Sequence, residues 1–380
     1  MFGQRIVIAG LSSMALMGLA SAQGLDLQAT LDQARSDNKI IGMGAIIMDV
    51  DGTYDIAVSG ERIKGSNDPV QIDDAWHIGS NTKSITALLY AKLVENGLAR
   101  WGATLPELFP DHAAAIDPAW NTITIEDLFA HRSGVEQLGG GWYNARRADK
   151  RSVIEQRLEA SLKVLKKPPV KQIGAYDYNN LGYIIAGSAI EGLLGREAGE
   201  PVSWEEALQK YVLSEISFSD DDQNWGFGPP PEGVQGHRGA FGTSLFMSAV
   251  GTGPTADNPA ALGPAGTLHA TLLAHATLSR EYLVDDSALI LPSIREKLWT
   301  AFPKTDASSD YAMGWGIQTT ERHGAYYGHG GSNTMWLSDI RIVPDYGIVV
   351  IVNSNQLADG AFDAHQDVLS AVLEHYETLE

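Results

Sequence analysis

The sequence predicts a mixed α/β (α+β) protein, with one antiparallel sheet built from both ends of the chain, flanked by helices, and a helical lobe between. Three observations predict it. Strand-like runs open the chain at 40–50 and 54–59 and return at 312–319, 325–327, 335–343 and 346–352. Between these two sets, the apolar residues recur at helical spacing in segment after segment. The first crossing from strands to helices carries Trp76-His77-Ile78-Gly79-Ser80-Asn81-Thr82-Lys83, where a cleft between sheet and lobe would open.

Taken in order, residues 1–22 read as an export signal. Arg5 supplies the positive start, 6–19 a mostly apolar run, and Ala20-Ser21-Ala22 a small-residue cleavage site. The run is too short and too interrupted for a good membrane span. The expectation is therefore an exported protein, periplasmic or secreted, with no stable membrane anchor. A helix is expected at 25–34, followed by two strands joined through Asp51-Gly52, a strong hairpin signal. The helix behind Ser80 should run to about Glu95 and stop at Asn96-Gly97. Thr124 begins a short capped helix that ends at Ser133-Gly134. Further helices are expected at 152–165, 180–194, 203–213, 268–278 and 293–301, with a terminal one at 361–379. Residues 220–264 form a long irregular region with Pro229-Pro230-Pro231. The predicted division is one domain over 23–380, its sheet part at 23–75 and 310–380 and its helical lobe at 76–309.

Composition narrows the function. With 47 acidic residues against 27 basic ones, the chain carries a net charge of -20, which excludes nucleic acid as a partner because phosphate binding needs a basic surface. The absence of cysteine excludes disulfides, thiolate metal sites and a cysteine nucleophile. Metal hydrolysis has no support: no His-Glu-x-x-His occurs, and His269 and His275, six residues apart, do not share a helical face. The chemistry expected thus needs no metal and no cofactor, and the partner is a small-molecule or peptide substrate. Oligomeric state stays open.

Ser80 and Lys83 are three residues apart at the start of a helix, so their side chains share a face. A hydroxyl beside an amine is what a serine nucleophile with a lysine base requires. The same spacing recurs at Ser36 and Lys39, in a polar stretch with no apolar helix behind it, which reads as a solvated loop. Two further stretches stand out. Tyr178-Asn179-Asn180 precedes an apolar helix and would project from a loop into the cleft. Tyr327-Gly328-His329-Gly330-Gly331-Ser332 ends one strand and begins the next, and its paired glycines mark a bulge or a close backbone approach.

In order and separation these three stretches resemble the serine β-lactamase and penicillin-binding protein superfamily, especially its class C-like branch. That branch includes class C β-lactamases, D-alanyl-D-alanine carboxypeptidases, D-aminopeptidases and family VIII carboxylesterases. The resemblance rests on Ser80 to Lys83, Tyr178 to Asn180 and His329 to Gly331. The secondary signatures Leu128 to Gly134, Gly263 to Leu268 and Met313-Gly314-Trp315-Gly316 agree, over nearly the whole mature chain.

The resemblance implies a β-lactamase-like fold and an acyl-enzyme mechanism. Ser80, Lys83 and Tyr178 would be catalytic, and the backbone N–H groups of Ser80 and Ser332 would form the oxyanion hole. Asn180, His329, Gly330 and Gly331 would complete the substrate site. Where the β-lactamases usually carry a lysine, this chain has His329, which at an ordinary pKa near ~6.5 is mostly neutral at pH 7. An ester or a D-amino-acid amide or peptide is accordingly expected as substrate ahead of a β-lactam. A penicillin sensor that acylates without turning over is the rival from another class. Trp142, Tyr143, Trp315 and Trp336 are the aromatic residues available to line the pocket.

Overall fold

Both ends of the chain meet in one sheet. The computed structural model describes residues 24–216, 225–239, 246–301, 310–321, 324–358 and 360–379; the expected export signal at 1–22 lies outside them. In chain order the elements begin α1 (Leu27–Asp37), β1 (Gly42–Asp49), β2 (Tyr54–Gly60), β3 (Ala75–His77) and α2 (Thr82–Glu95). The lobe then continues α3 (Leu105–Leu108), α4 (Ile125–Phe129), α5 (Gly140–Ala148), α6 (Val153–Leu165), α7 (Leu181–Ala198) and α8 (Trp204–Tyr211). Three short strands follow, β4 (Trp225–Phe227), β5 (His237–Arg238) and β6 (Ser248–Ala249), and then α9 (Gly263–Gly266), β7 (Leu268–Thr271), α10 (Leu272–Arg280) and α11 (Pro292–Trp299). The chain closes with β8 (Gly316–Thr320), β9 (Gly324–Ser332), β10 (Leu337–Val343), β11 (Ile348–Ser354) and α12 (Ala361–Glu377).

The six-stranded sheet has the order β2-β1-β11-β10-β9-β8, with every neighbouring pair antiparallel. Because side chains alternate between faces, its two faces serve two cores. On one face Ala45, Ile47, Val350 and Val352 pack with Leu27, Leu31, Val368 and Val372 of α1 and α12. On the other, Ile46, Ile340 and Ile351 join the core of the helical lobe. Register places His329 opposite Ile340, which pairs with Ile351 and through it with Ile46. His329 therefore points to the lobe, into the cleft, and so does the position of Gly331 two residues on.

The lobe is braced by a buried ion-pair cluster. Arg157 of α6, fully buried, bonds Glu191 of α7 at 2.6 Å and Glu205 of α8, and donates to the carbonyls of Ala260 (2.8 Å) and Ala261 (3.2 Å). That pins the turn leading into α9. Such a buried charge is costly unless every donor is matched, and removing one partner typically costs about 3–5 kcal/mol.

The structure corrects four expectations. Residues 268–271 are strand β7, not the first turn of a helix: they pair with β3 and β4, and the Thr271 hydroxyl caps α10 by accepting the Ala274 N–H at 3.1 Å. The helix over 25–34 continues to Asp37, so Ser36 sits in its last turn and not in a loop, on the sheet face away from the cleft. The stretch His329-Gly330-Gly331 lies inside β9, which runs on to Ser332 instead of breaking there. Finally, α5 was not foreseen, because its opening Gly139-Gly140-Gly141 reads as loop.

Candidate active site

A left-handed glycine starts the site. Gly79 has φ +52, and a Cβ there would stand 2.3 Å from the Ser332 backbone nitrogen. Gly331 faces it, and a Cβ on that residue would stand 2.0 Å from the Ile78 carbonyl and 2.8 Å from the Ser80 nitrogen. Only glycine allows β9 and the Ser80 turn to touch along their backbones. Residues 79–81 form a single 3₁₀ turn ahead of α2, with Ser80 half-buried at its centre. The turn is anchored on three sides. Ile78 N–H donates to the Leu268 carbonyl of β7 (2.9 Å), Thr82 Oγ1 to the Gly79 carbonyl (2.7 Å), and Asn81 Nδ2 to Ser338 Oγ of β10 (2.9 Å).

Lys83 projects from the first turn of α2 and is fully buried. Its Nζ lies 3.0 Å from Ser80 Oγ, 2.8 Å from Asn180 Oδ1 and 2.6 Å from the Ala265 carbonyl. Among the described residues no carboxylate pairs with it, and burial holds its pKa well below the ordinary lysine value. The Asn180 and Ala265 oxygens accept two of its N–H groups, and its remaining direction faces the Ser80 hydroxyl.

Tyr178 lies close to both, with the Lys83 nitrogen 4.9 Å from its ring centroid. Burial holds the Tyr178 phenol above its usual range, and the nearby Ser80 hydroxyl draws it partly back. Burial thus shifts the amine down and the phenol up, each toward its neutral form. The tandem asparagines divide the labour: Asn179 Oδ1 accepts the Gly182 N–H at 2.7 Å and starts α7, which leaves Asn180 turned to Lys83.

His329 reaches the site as a spacer and not as an exposed cation. Its Nε2 accepts from the Tyr311 hydroxyl at 3.0 Å, and its Nδ1 lies 2.8 Å from the Gly330 carbonyl. Burial, helped by Lys83, pushes the imidazole down to about 3. His131, which stacks on Tyr178 with centroids 4.3 Å apart, is likewise held well below 6.5 by burial. His275 in the core is pushed to about 3 by burial alone.

These histidines set an acid limit on stability. A folded pKa below the unfolded value means that the unfolded chain binds protons the folded one refuses. Their contribution is complete above pH 6.5 and is lost as pH falls toward 3. Each contributes a slope of about 1.4 kcal/mol per pH unit inside that window. Urea unfolding followed from pH 6.5 to 5, above the carboxylate range, should show this loss. A flat profile there would contradict it.

The structure brings together Ser80, Lys83, Tyr178, Asn180, His329 and the Gly330–Ser332 backbone. Of the aromatic candidates, Tyr143 meets this group with its side chain, its hydroxyl 3.5 Å from Asn180 Nδ2, and Trp336 meets it through its carbonyl, which accepts the Ser332 hydroxyl at 2.5 Å. Trp315 and Trp336 are core residues, 2% and 1% exposed. His269 bonds the Gly228 carbonyl from β7, and His275 lies buried in α10. Sequence reasoning missed Tyr311, whose one signal is its place just before the Met313 to Gly316 signature. It also missed the Ala265 carbonyl, which a sequence cannot display as an acceptor, although Gly263 to Leu268 had been singled out.

Comparison with known proteins agrees with this geometry. A family model described as Beta-lactamase matches residues 27–373. Penicillin-binding protein 4 of Amycolatopsis lactamdurans is 26% identical over 349 residues, which span 86% of this chain and 84% of that protein. Among solved structures, an octameric penicillin-binding protein homologue from Pyrococcus abyssi superposes with a TM-score of 0.72 at 23% identity, over 92% of this chain and 77% of its own. A D-stereospecific amidohydrolase from Streptomyces sp. gives a TM-score of 0.69 at 20% identity, over 91% of this chain and 97% of its own. Fold and site define a serine hydrolase. More narrowly, the chain belongs to the β-lactamase family. No helix among the described residues is long and apolar enough to cross a membrane.

Proposed function

We propose that the protein hydrolyses an ester or a D-amino-acid amide or peptide through an acyl-enzyme on Ser80. The observation that carries this is the buried Lys83 amine, 3.0 Å from Ser80 Oγ and free of any carboxylate partner in its hydrogen bonds. In the proposed cycle the Ser80 proton passes to Lys83 as Oγ attacks the acyl carbon. Negative charge develops on the acyl oxygen between the Ser80 and Ser332 N–H groups, and losing one such donor typically costs about 10²–10³ in rate. The proton travels through Tyr178 to the leaving alcohol or amine, which departs and leaves the ester on Ser80. Water then attacks that ester with its proton taken up along the same route, releasing the acid and restoring Ser80.

The choice among substrates rests on His329. With Tyr311 on one nitrogen and Gly330 on the other, it stays neutral above about pH 3 and offers no permanent cation to a substrate carboxylate. That favours substrates with no carboxylate to be held there, an ester or a D-amino-acid amide first. Parallel assays of p-nitrophenyl butyrate, a D-Ala-D-Ala peptide and nitrocefin test the ranking. The ester or the peptide should turn over beyond one equivalent and faster than nitrocefin. Nitrocefin hydrolysed at least as fast as the ester would reverse the ranking, and a single equivalent of acyl product would make the protein a sensor.

A further inference from the structure

A buried carboxylate lies behind the two backbone segments that face the acyl oxygen. Asp257 is 2% exposed, at a position the sequence reading did not name as a site residue. Its Oδ1 accepts Asn333 Nδ2 at 2.8 Å and its own neighbour's N–H, from Asn258, at 2.6 Å. His77 Nε2 approaches the same oxygen to 2.8 Å, although off the line of a good N–H···O bond. The other face of His77 is defined as well: Nδ1 accepts the Gly79 N–H at 3.1 Å, so the ring proton resides on Nε2, toward Asp257. The imidazole is held in its plane by stacking on Trp336, centroids 5.6 Å apart. Asn333 in turn accepts the N–H groups of Met335 (3.1 Å) and Trp336 (3.3 Å) through Oδ1, which shapes the turn directly after Ser332.

We infer that Asp257 is a positioning residue for the oxyanion hole: through His77 it sets the Gly79–Ser80 turn, and through Asn333 it sets the Ser332 turn. One carboxylate thereby acts on both N–H groups, beside the three bonds that anchor the Ser80 turn and the pairing of Ser332 with Leu337 in the sheet. The glycine contact between the two segments fixes their closeness but not their rotation, because a glycine backbone turns freely. A donor rotated away loses strength steeply with angle, and only the transition state, with its developing charge, feels that loss in full.

The role of Asp257 rests on Ser80 being the nucleophile, so fluorophosphonate labelling of the wild-type chain at Ser80 is read first. No label there sinks the serine assignment, with Asp257 untouched as a question. With label in place, Asn333→Asp sets two carboxylates face to face while keeping the Oδ1 that accepts Met335 and Trp336. It is expected to lower kcat on p-nitrophenyl butyrate by about tenfold or more with KM within about threefold. The carbonyl stretch of the acyl-enzyme, read by infrared with a ¹³C=O-labelled ester, should move to higher wavenumber as hydrogen bonding weakens. If Asn333→Asp does not fold, Asp257→Asn, which keeps the volume, gives the same readouts. Wild-type kcat and band position in the folded variant, or a lowered melting temperature with no carbonyl shift, would overturn the inference.

Discussion

Ser80→Ala is expected to abolish labelling by a fluorophosphonate and to cut turnover of p-nitrophenyl butyrate by about 10³-fold or more, since Ser80 is the proposed acyl carrier. The change should leave the fold in place. Ser80 is half-buried, and its hydroxyl lies 3.0 Å from Lys83 Nζ. The lost oxygen should shift stability by less than about 1 kcal/mol, because no cavity or unpaired charge is created. Mass spectrometry of the labelled wild-type chain places the adduct, and a melting curve of the variant checks the fold. Full labelling of Ser80→Ala, or an adduct on another residue, would remove Ser80 from the mechanism.

The second large effect concerns Lys83. Lys83→Ala should slow acylation by about 10²–10⁴-fold, the usual weight of a well-placed general base. The pH profile carries the sharper test. Burial disfavours the ammonium form, so the amine is neutral well below the ordinary lysine range. Activity should rise with pH as Lys83 loses its proton and fall as pH drops through that lowered pKa. Tyr178 is held the other way, above the usual phenol range. Tyr178→Phe should therefore slow the reaction yet keep the same acidic limb in kcat/KM. A limb that vanishes in Tyr178→Phe would make the phenol, not the amine, the titrating base.

How much of this was legible in the sequence depends on distance along the chain. Ser80 and Lys83 are neighbours on one helical turn, and Asn179 and Asn180 are adjacent, so local geometry already gave each its direction. The sheet was legible for a similar reason: continuous apolar runs at both chain ends, buried on both faces, find a place by pairing with each other. Residues 268–271 read as helix in sequence because Leu-His-Ala-Thr is too short and too mixed to show a period of its own, and its partners β3 and β4 lie in other parts of the chain. His329 was legible as a departure from lysine but not as a buried acceptor, since Tyr311, eighteen residues earlier, carries no pattern that links the two.

By itself the sequence determined the candidates, Ser80 with Lys83 three residues on, Tyr178 with Asn180, and the His329 to Ser332 stretch, because residue type within each short motif marks them. Only the tertiary structure decided their protonation, because desolvation exists only once α2, α7 and α9 enclose Lys83, and burial likewise decides the state of His329. The same holds for the groups behind the proposed oxyanion donors. His77, Asp257 and Asn333 come from three distant parts of the chain, and only folding brings them into contact around one carboxylate.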